Sequence, residues 1–198
     1  GHVQTERERR GEPRRFDAEQ VDQAAGAVHL NLNLGCPYGR MNVGCGGGML
    51  ERPHELPGIL RALRDAVAGT FSVKVRLGYA DPAQIFSVLP VFEDAGVDFM
   101  ALHARTVVQR YDGDADHSLT ARVVAATRLP VIANGDLNSV EVCERVLKDT
   151  GAAGLMLGRG AMKDPLLFER LRGRHVALPS RESHQTFLRA LTREYGAL

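Results

Sequence analysis

The first residues that could do chemistry lie in HLNLNLGCPYGRMNVGCGGGML, residues 29–50 of the chain. Leucine alternates there with histidine or asparagine, as in a strand with one apolar face, and the strand runs directly into the GCP turn at residues 35–37. Cys36 is therefore a candidate reactive thiol at the end of a strand. The alternative is a small buried hydrophobe, which is also our interpretation of Cys45 and Cys143.

Charged side chains occupy one face of two further strand candidates. In FSVKVRL, residues 71–77, the apolar residues can face covering helices while Lys74 and Arg76 point the other way, and ALHART places His103 and Arg105 on one face. Buried cations need anionic partners, so these side chains indicate a polar site. A Schiff-base lysine and a surface lysine on an edge strand are the alternatives for Lys74.

The elements that must position these residues alternate regularly between strand and helix. Gly96 and Gly151 are plausible helix stops, and Asp116 and Ser139 precede two amphipathic stretches as caps. The strand candidates are residues 28–34, 71–77, 97–104, 129–135 and 152–158. This pattern predicts an α/β fold of the (β/α)8 TIM-barrel type with about five of the eight β-α units present. A doubly wound sheet whose strand-end polar residues reach solvent is the alternative.

Two glycine-containing turns follow the last two strand candidates. They are NGD, residues 134–136, and GRG, residues 158–160. In such barrels the loops after the last strands bind phosphate through backbone N–H groups, and glycine allows close approach. Arg159 adds a permanent, potentially bidentate charge. The glycine run 46–48 is interpreted as a flexible loop.

Composition limits the remaining possibilities. The chain has 198 residues, a formal net charge of +1 and three cysteines, with no C-x-x-C or H-E-x-x-H motif, so we expect neither a disulfide framework nor a metal site. No apolar run reaches the roughly 18 residues of a membrane span, which predicts a cytoplasmic protein without a membrane partner. The domain prediction is a flexible charged segment 1–16, a partial barrel 17–173 and the start of a C-terminal helical region 174–198.

Six blocks of the chain, in this order, closely resemble the tRNA-dihydrouridine synthase family. They are NLNLGCP, GCGGGML, SVKVRLGY, LHARTVVQRYDGDAD, LPVIANGDLNS and TGAAGLMLGRGAMKDPLLF, within about residues 28 to 170. The resemblance implies that flavin mononucleotide (FMN) lies at the barrel mouth. It also implies that NADPH or NADH reduces this FMN, and that hydride passes to carbon 6 of a uracil in tRNA. Cys36 matches the family cysteine that protonates carbon 5.

The resemblance also assigns the cofactor and substrate residues. Those expected to contact FMN are Asn33, Lys74, His103, Asn134, Gly135, Asp136, Gly158 and Arg159. Those expected to contact the nucleotide are Arg105, Thr106 and Tyr111, and we add Arg76, which shares a face with Lys74 and is expected to hold substrate or a neighbouring carboxylate.

The chain departs from the family pattern in two ways. His117 stands where the family usually has Trp, which affects a packing contact, and the family's three earlier β-α units have no counterpart, which indicates truncation. Two other functions remain as alternatives. One is an FMN barrel of the dihydroorotate dehydrogenase kind that acts on a free pyrimidine, and the other is a truncated, inactive RNA-binding fragment.

Overall fold

A computed structural model describes residues 28–37 and 44–196. The predicted charged segment 1–16 lies outside these residues, as do residues 17–27 of the predicted barrel domain.

One sheet of five parallel strands forms the centre of the molecule, in the spatial order β1-β2-β3-β4-β5. The strands are β1 His29–Leu34, β2 Thr70–Arg76, β3 Phe99–His103, β4 Val131–Asn134 and β5 Gly154–Met156. A doubly wound sheet reverses its strand order at a switch point, whereas a barrel adds each new strand beside the last. The sequential order therefore confirms the partial (β/α)8 barrel.

Helices connect and cover the strands. They are α1 Leu56–Ala66, α2 Gln84–Asp94, α3 His117–Ala126, α4 Val140–Thr150, α5 Arg159–Lys163, α6 Leu167–Leu171 and α7 Arg181–Tyr195. The predicted caps are confirmed. The Asp116 carboxylate accepts hydrogen bonds from the backbone N–H groups of Ser118 and Leu119, and the Ser139 hydroxyl accepts one from Val142. Gly151 ends α4 in the left-handed conformation, with φ of 67°.

The core lies between the sheet and these helices, as the alternation in β2 predicts. Phe71, Val73 and Val75 have no solvent exposure and belong to one apolar cluster with side chains of α1 and α2 such as Leu60 and Phe92. Every second residue of β2 thus anchors the strand in this core. Lys74 and Arg76 point to the other side of the sheet, towards the inside of the barrel.

The prediction of a flexible loop for the glycine run 46–48 is wrong. Residues Gly46–Glu51 form a 3-10 helix in which Gly46, Gly47 and Gly48 are all buried. The N–H of Gly47 donates to the carbonyl of Cys36 at 3.1 Å. Small residues are used here for close packing against the strand-end turn, so the segment is ordered by tertiary contacts.

The last helix, α7, lies in the predicted C-terminal region and begins with a capping box between Ser180 and Ser183. It has no buried residue, and Leu188, Leu191 and Tyr195 are all exposed on it. None of the described helices is both long and apolar enough to cross a membrane. The boundaries of the three predicted domains stay a prediction.

Candidate active site

A cleft of about 510 Å³ opens at the carboxyl ends of the strands. The sheet register accounts for it. Arg76, His103, Asn134 and Met156 are paired across β2 to β5 in one row, and Asn33 and Lys74 are paired in the row two residues below. Of the sequence-predicted site residues, those that line the cleft are Asn33, Cys36, Lys74, Arg76, His103, Tyr111, Asn134, Gly135, Asp136, Gly158 and Arg159.

Asn33 shapes the turn that carries Cys36. Its side-chain oxygen accepts hydrogen bonds from the backbone N–H groups of Gly35 at 3.0 Å and Cys36 at 3.2 Å. This Asx-type turn ends the strand and places the half-buried Cys36 at the cleft. The asparagine near the end of β1 therefore has a local structural reason, and its amide nitrogen, which makes no hydrogen bond to the described residues, can serve a ligand.

Lys74 presents a half-buried cation beside Cys36. Burial and the nearby Arg76 guanidinium lower the pKa of the Lys74 ammonium, while Cys36 acts in the opposite direction. Within the described part of the chain, Nζ of Lys74 makes no hydrogen bond or ion pair. A desolvated cation that lines a cleft in this way is suited to a negatively charged or electron-rich group of a ligand.

Arg76 has only 1% of its surface exposed, although it lines the cleft. Its guanidinium donates hydrogen bonds to the carbonyl oxygens of Gly35 at 2.8 Å and Thr106 at 2.9 Å. It also lies 5.5 Å from the ring centre of Tyr111. Arg76 thus ties the turn after β1 to the loop after β3, in addition to the substrate contact predicted for it.

His103 is held as a neutral imidazole. Burial, then the positive charges of Arg76, Lys74 and Arg105, lower the pKa of His103 to about 3, and Asp136 opposes them only weakly. Arg105 can only donate, so its 3.2 Å contact with Nε2 makes that atom an acceptor. The imidazole proton is then on Nδ1, so a histidine that lines the cleft can donate one hydrogen bond to a ligand.

Asp136 organises the turn after β4. Its φ of 51° and the φ of 120° at Gly135 are both in the left-handed half of conformational space. One carboxylate oxygen accepts from Arg105 at 2.6 Å and from the N–H of Ala115 at 2.8 Å, and the other accepts from Arg159 at 3.2 Å. Burial alone would raise the pKa of Asp136, but these hydrogen bonds and positive charges hold it below the ordinary value.

The rim of the cleft is formed by Arg159 and Tyr111. The Arg159 side chain is 59% exposed, and its guanidinium lies 4.6 Å from the ring centre of Tyr111. Tyr111 is itself 41% exposed, and its ring centre lies 6.0 Å from that of His103. An exposed cation stacked on an aromatic ring can meet a phosphate with one group and a base with the other.

Arg105 and Thr106, predicted to contact the nucleotide, are not among the cleft-lining residues. They are 2% and 3% exposed. The Arg105 guanidinium is engaged with Asp136, His103 and the carbonyl of Gly113, while Thr106 exchanges hydrogen bonds with Gln109. A direct substrate contact would require them to break these bonds, so the structure places both residues beneath the site.

Sequence reasoning missed the apolar part of the cleft. Leu137, Met156 and Leu157 line it, as do Asn138 and Lys163. Met156 could have been found, because it ends β5, Gly154–Met156, and so falls in the row of strand-end residues. Lys163 ends the short helix α5, and no sequence signal marks its orientation.

No group of three or more His, Cys, Asp or Glu side chains that could hold a metal ion occurs in residues 28–37 and 44–196. Cys143 lies away from the cleft. It is fully buried, packs with Ala133 and Val146, and burial raises the pKa of its thiol. The interpretation as a small buried hydrophobe is thus confirmed for Cys143 and wrong for Cys45, which is exposed and does not line the cleft.

Comparison with known proteins finds one matching sequence family, described as Dihydrouridine synthase (Dus), over residues 16–197. tRNA-dihydrouridine synthase B of Vibrio cholerae is 37% identical over 157 residues, which are 78% of this chain and 49% of the relative. Probable tRNA-dihydrouridine synthase 1 of Synechocystis sp. is 37% identical over 153 residues, which are 76% of this chain and 43% of the relative. The chain thus spans about half the length of the curated relatives it matches.

Solved structures with a similar fold are more distant in sequence. N-acetylneuraminate lyase from Mycoplasma synoviae has a TM-score of 0.57 at 12% identity, over 79% of this chain and 50% of that chain. The old yellow enzyme from Trypanosoma cruzi has a TM-score of 0.55 at 12% identity, over 84% of this chain and 48% of that chain. At such identities the likeness supports the barrel fold and carries no functional information.

Proposed function

The chain belongs to the dihydrouridine synthase family, and we propose that it provides most of the catalytic site of an FMN-dependent enzyme that reduces uridines in tRNA. The product is 5,6-dihydrouridine, and the reductant is NADPH or NADH. The observation that carries this proposal is the juxtaposition in one cleft of a thiol, Cys36, and a half-buried cation, Lys74, whose Nζ makes no hydrogen bond or ion pair with the residues that the structure describes.

The residues present fit FMN. A volume of about 510 Å³ is within the range of roughly 300 to 1,000 Å³ of small-molecule sites. One wall presents Lys74 and the Nδ1 donor of His103, which suit the electron-rich pyrimidine end of a flavin. A side-chain carbon added at Gly158 would meet no atom within 4 Å, so there is open space beside that backbone for a phosphate.

Two turns would hold the phosphate and ribityl parts of FMN. Asn134 donates to the carbonyl of Met156 at 2.7 Å, which ties the end of β4 to the end of β5. The Asp136 carboxylate forms an ion pair with Arg159, which holds this side chain beside the turn between Asn134 and Asp136. Arg159 supplies a permanent positive charge at the mouth, where it can pair with a phosphate.

FMN, when bound, would supply the hydride for carbon 6 of the uracil. The contribution of this chain is the proton for carbon 5, for which Cys36 is the proton donor. Its thiol is half-buried and held at the cleft by the Asn33 turn, so it is fixed in place but can be reprotonated from solvent. Lys74, next to it, adds positive charge where the uracil becomes electron-rich.

The proposed reaction has tRNA as its substrate, and the rim of the cleft is suited to bind it. Tyr111 and Arg159 offer a stacking surface and a cation outside the cleft, which suit an extruded base and its phosphate. Arg105 and Thr106 support this rim from below through Asp136 and Gln109. We propose a cytoplasmic location, where tRNA and reduced nicotinamide cofactor are both available.

FMN binding by the 198-residue chain tests the cofactor part of this proposal, measured by quenching of flavin fluorescence. The described residues form five strands and the chain spans about half the length of the curated relatives it matches, so we expect affinity roughly 10²-fold below that of a full-length family member. Lys74→Met should weaken binding by a further factor of about ten. Lys148→Met, which removes an exposed lysine from α4, is the matched control and should have no effect.

The outcomes separate the proposal from its alternatives. Flavin binding that depends on Lys74 and is accompanied by tRNA affinity supports it. Flavin binding without tRNA affinity favours an enzyme that acts on a free pyrimidine, and tRNA affinity without flavin binding favours an inactive RNA-binding fragment.

A further inference from the structure

The backbone of Cys36 is held on both sides. Its N–H donates to the Asn33 side chain at 3.2 Å, and its carbonyl accepts from the N–H of Gly47 at 3.1 Å. We infer that Gly47 is a positioning residue for Cys36, an inference that rests on the proposed role of Cys36 as the proton donor. The 3-10 helix Gly46–Glu51 is then a brace that sets where the thiol lies in the cleft.

Position 47 has no room for a side chain. A side-chain carbon at this position would lie 2.8 Å from the carbonyl oxygen of Cys36, and 2.9 Å and 3.1 Å from the two methyl groups of Val107. Side-chain carbons essentially never make contacts as short as the first two of these distances, so Cys36, Val107 or both would have to move. The φ of Gly47 lies outside the left-handed region, so alanine meets no backbone penalty at this position.

Cys36 is the partner more able to move. Val107 is 2% exposed and belongs to the main apolar cluster, and its N–H donates to the carbonyl of Gly78 at 2.9 Å. Cys36 is only half-buried and lies in the turn after an edge strand of the described sheet. Any side chain at position 47 should therefore displace the turn that carries the thiol.

That displacement would change the surroundings of the thiol. The turn rests on β2, where a side-chain carbon at Gly35 would be 3.8 Å from Nζ of Lys74. Moving the turn changes the distance between the Cys36 thiol and this cation as well as the exposure of the thiol. Misplacement of a reacting group by about 1 Å can reduce turnover by about 10²-fold.

The test is the rate at which iodoacetamide alkylates Cys36 in the 198-residue chain, followed by peptide mass spectrometry. Gly47→Ala should change this rate by about threefold or more, because thiol reactivity depends on exposure and on nearby positive charge. Gly58→Ala is the control, since a side-chain carbon there meets no atom within 4 Å. It should leave the rate unchanged, and an equal rate in the Gly47 variant would overturn the inference.

A double variant separates positioning from packing. Val107→Ala removes the two methyl contacts but leaves the 2.8 Å contact with the Cys36 carbonyl. The variant with both Gly47→Ala and Val107→Ala should therefore keep the altered alkylation rate relative to Val107→Ala alone. A return to the rate of the Val107 variant would show that Gly47 acts through core packing only.

A kinetic readout applies in a full-length protein made by joining this chain to the remainder of the V. cholerae relative. Gly47→Ala should lower kcat for uridine reduction by about 10- to 100-fold and leave KM for tRNA nearly unchanged. If the unsubstituted protein makes no dihydrouridine, the proposed function fails, whereas the alkylation rates still decide whether Gly47 positions Cys36.

Discussion

The stability of the protein should depend on pH through His103. Burial and the cations of Arg76, Lys74 and Arg105 lower the pKa of the folded histidine to about 3, whereas an unfolded histidine titrates near about 6.5. Between these values the unfolded chain holds a proton that the folded chain does not. The free energy of unfolding should thus fall as the pH decreases below about 6.5 and level off below about 3.

The size of the effect follows from the two pKa values. One pH unit inside this window is worth about 1.4 kcal/mol, so His103 should reduce the free energy of unfolding by about 2 kcal/mol at pH 5 relative to pH 7.5. His103 is 6% exposed, so solvent screening reduces this figure little. Asp136 is the one described carboxylate that opposes the shift.

Urea unfolding followed by circular dichroism at pH 7.5 and pH 5 measures the effect. His103→Gln keeps an acceptor for the hydrogen bond from Arg105 but cannot be protonated. The unsubstituted chain should lose about 2 kcal/mol more than this variant between the two pH values. His54→Gln, at an exposed position, is the control for loss of any histidine. Equal losses in the unsubstituted chain and the His103 variant would refute a neutral, desolvated imidazole at this position.

Three further predictions concern a glycine, an ion pair and an aromatic side chain around the cleft. Gly160→Ala should destabilise the fold by about 3 kcal/mol or more in urea unfolding, because the added carbon would collide with the backbone carbonyl oxygen of Leu137. Asp136→Asn should lower the free energy of unfolding by about 1 to 3 kcal/mol, since it leaves the Arg105 guanidinium buried without its carboxylate. Tyr111→Ala should weaken tRNA binding about tenfold in filter-binding assays without changing stability much, whereas Arg105→Ala should mainly destabilise the fold.

Matched control variants show whether these effects are specific to the cleft. Gly58→Ala adds the same methyl group to an open position of α1 and should be neutral or stabilising. Asp149→Asn removes an exposed carboxylate from α4 and should cost little. If either control destabilises the protein as much as its cleft counterpart, the effect is not specific to the site. If Arg105→Ala weakens tRNA binding at unchanged stability, Arg105 has the direct substrate contact predicted from the sequence.

The strands and the inward-facing residues could be predicted because they depend on local periodicity. Alternation in β2 determines that Lys74 and Arg76 face away from the covering helices, and each strand end then contributes to the same edge of a parallel sheet. Caps such as Asp116 and Ser139 depend on hydrogen bonds to residues two or three positions away. Local rules are sufficient for such features.

Contacts between distant segments could not be predicted in this way. Arg105 follows a strand as a site residue would, but its burial depends on Asp136, 31 positions further along the chain. Glycines lack helix propensity, so the run 46–48 indicates flexibility when considered alone. Its order comes from tertiary contacts with Cys36 and Val107, which override that propensity.

The most direct test of the central claim compares Cys36→Ala with Cys45→Ala. Both are made in the full-length protein that joins this chain to the remainder of the V. cholerae relative. Dihydrouridine is measured as the mass gain of two hydrogens in digested tRNA, beside FMN content and oxidation of NADPH. Cys36→Ala should still bind FMN and oxidise NADPH. Its rate of uridine reduction should fall by about 10²- to 10⁴-fold, which is the usual contribution of a general acid. Cys45→Ala, at an exposed thiol outside the cleft, should be nearly unaffected. Undiminished uridine reduction in the Cys36 variant, or its loss in the Cys45 variant, would contradict the assignment of the proton donor.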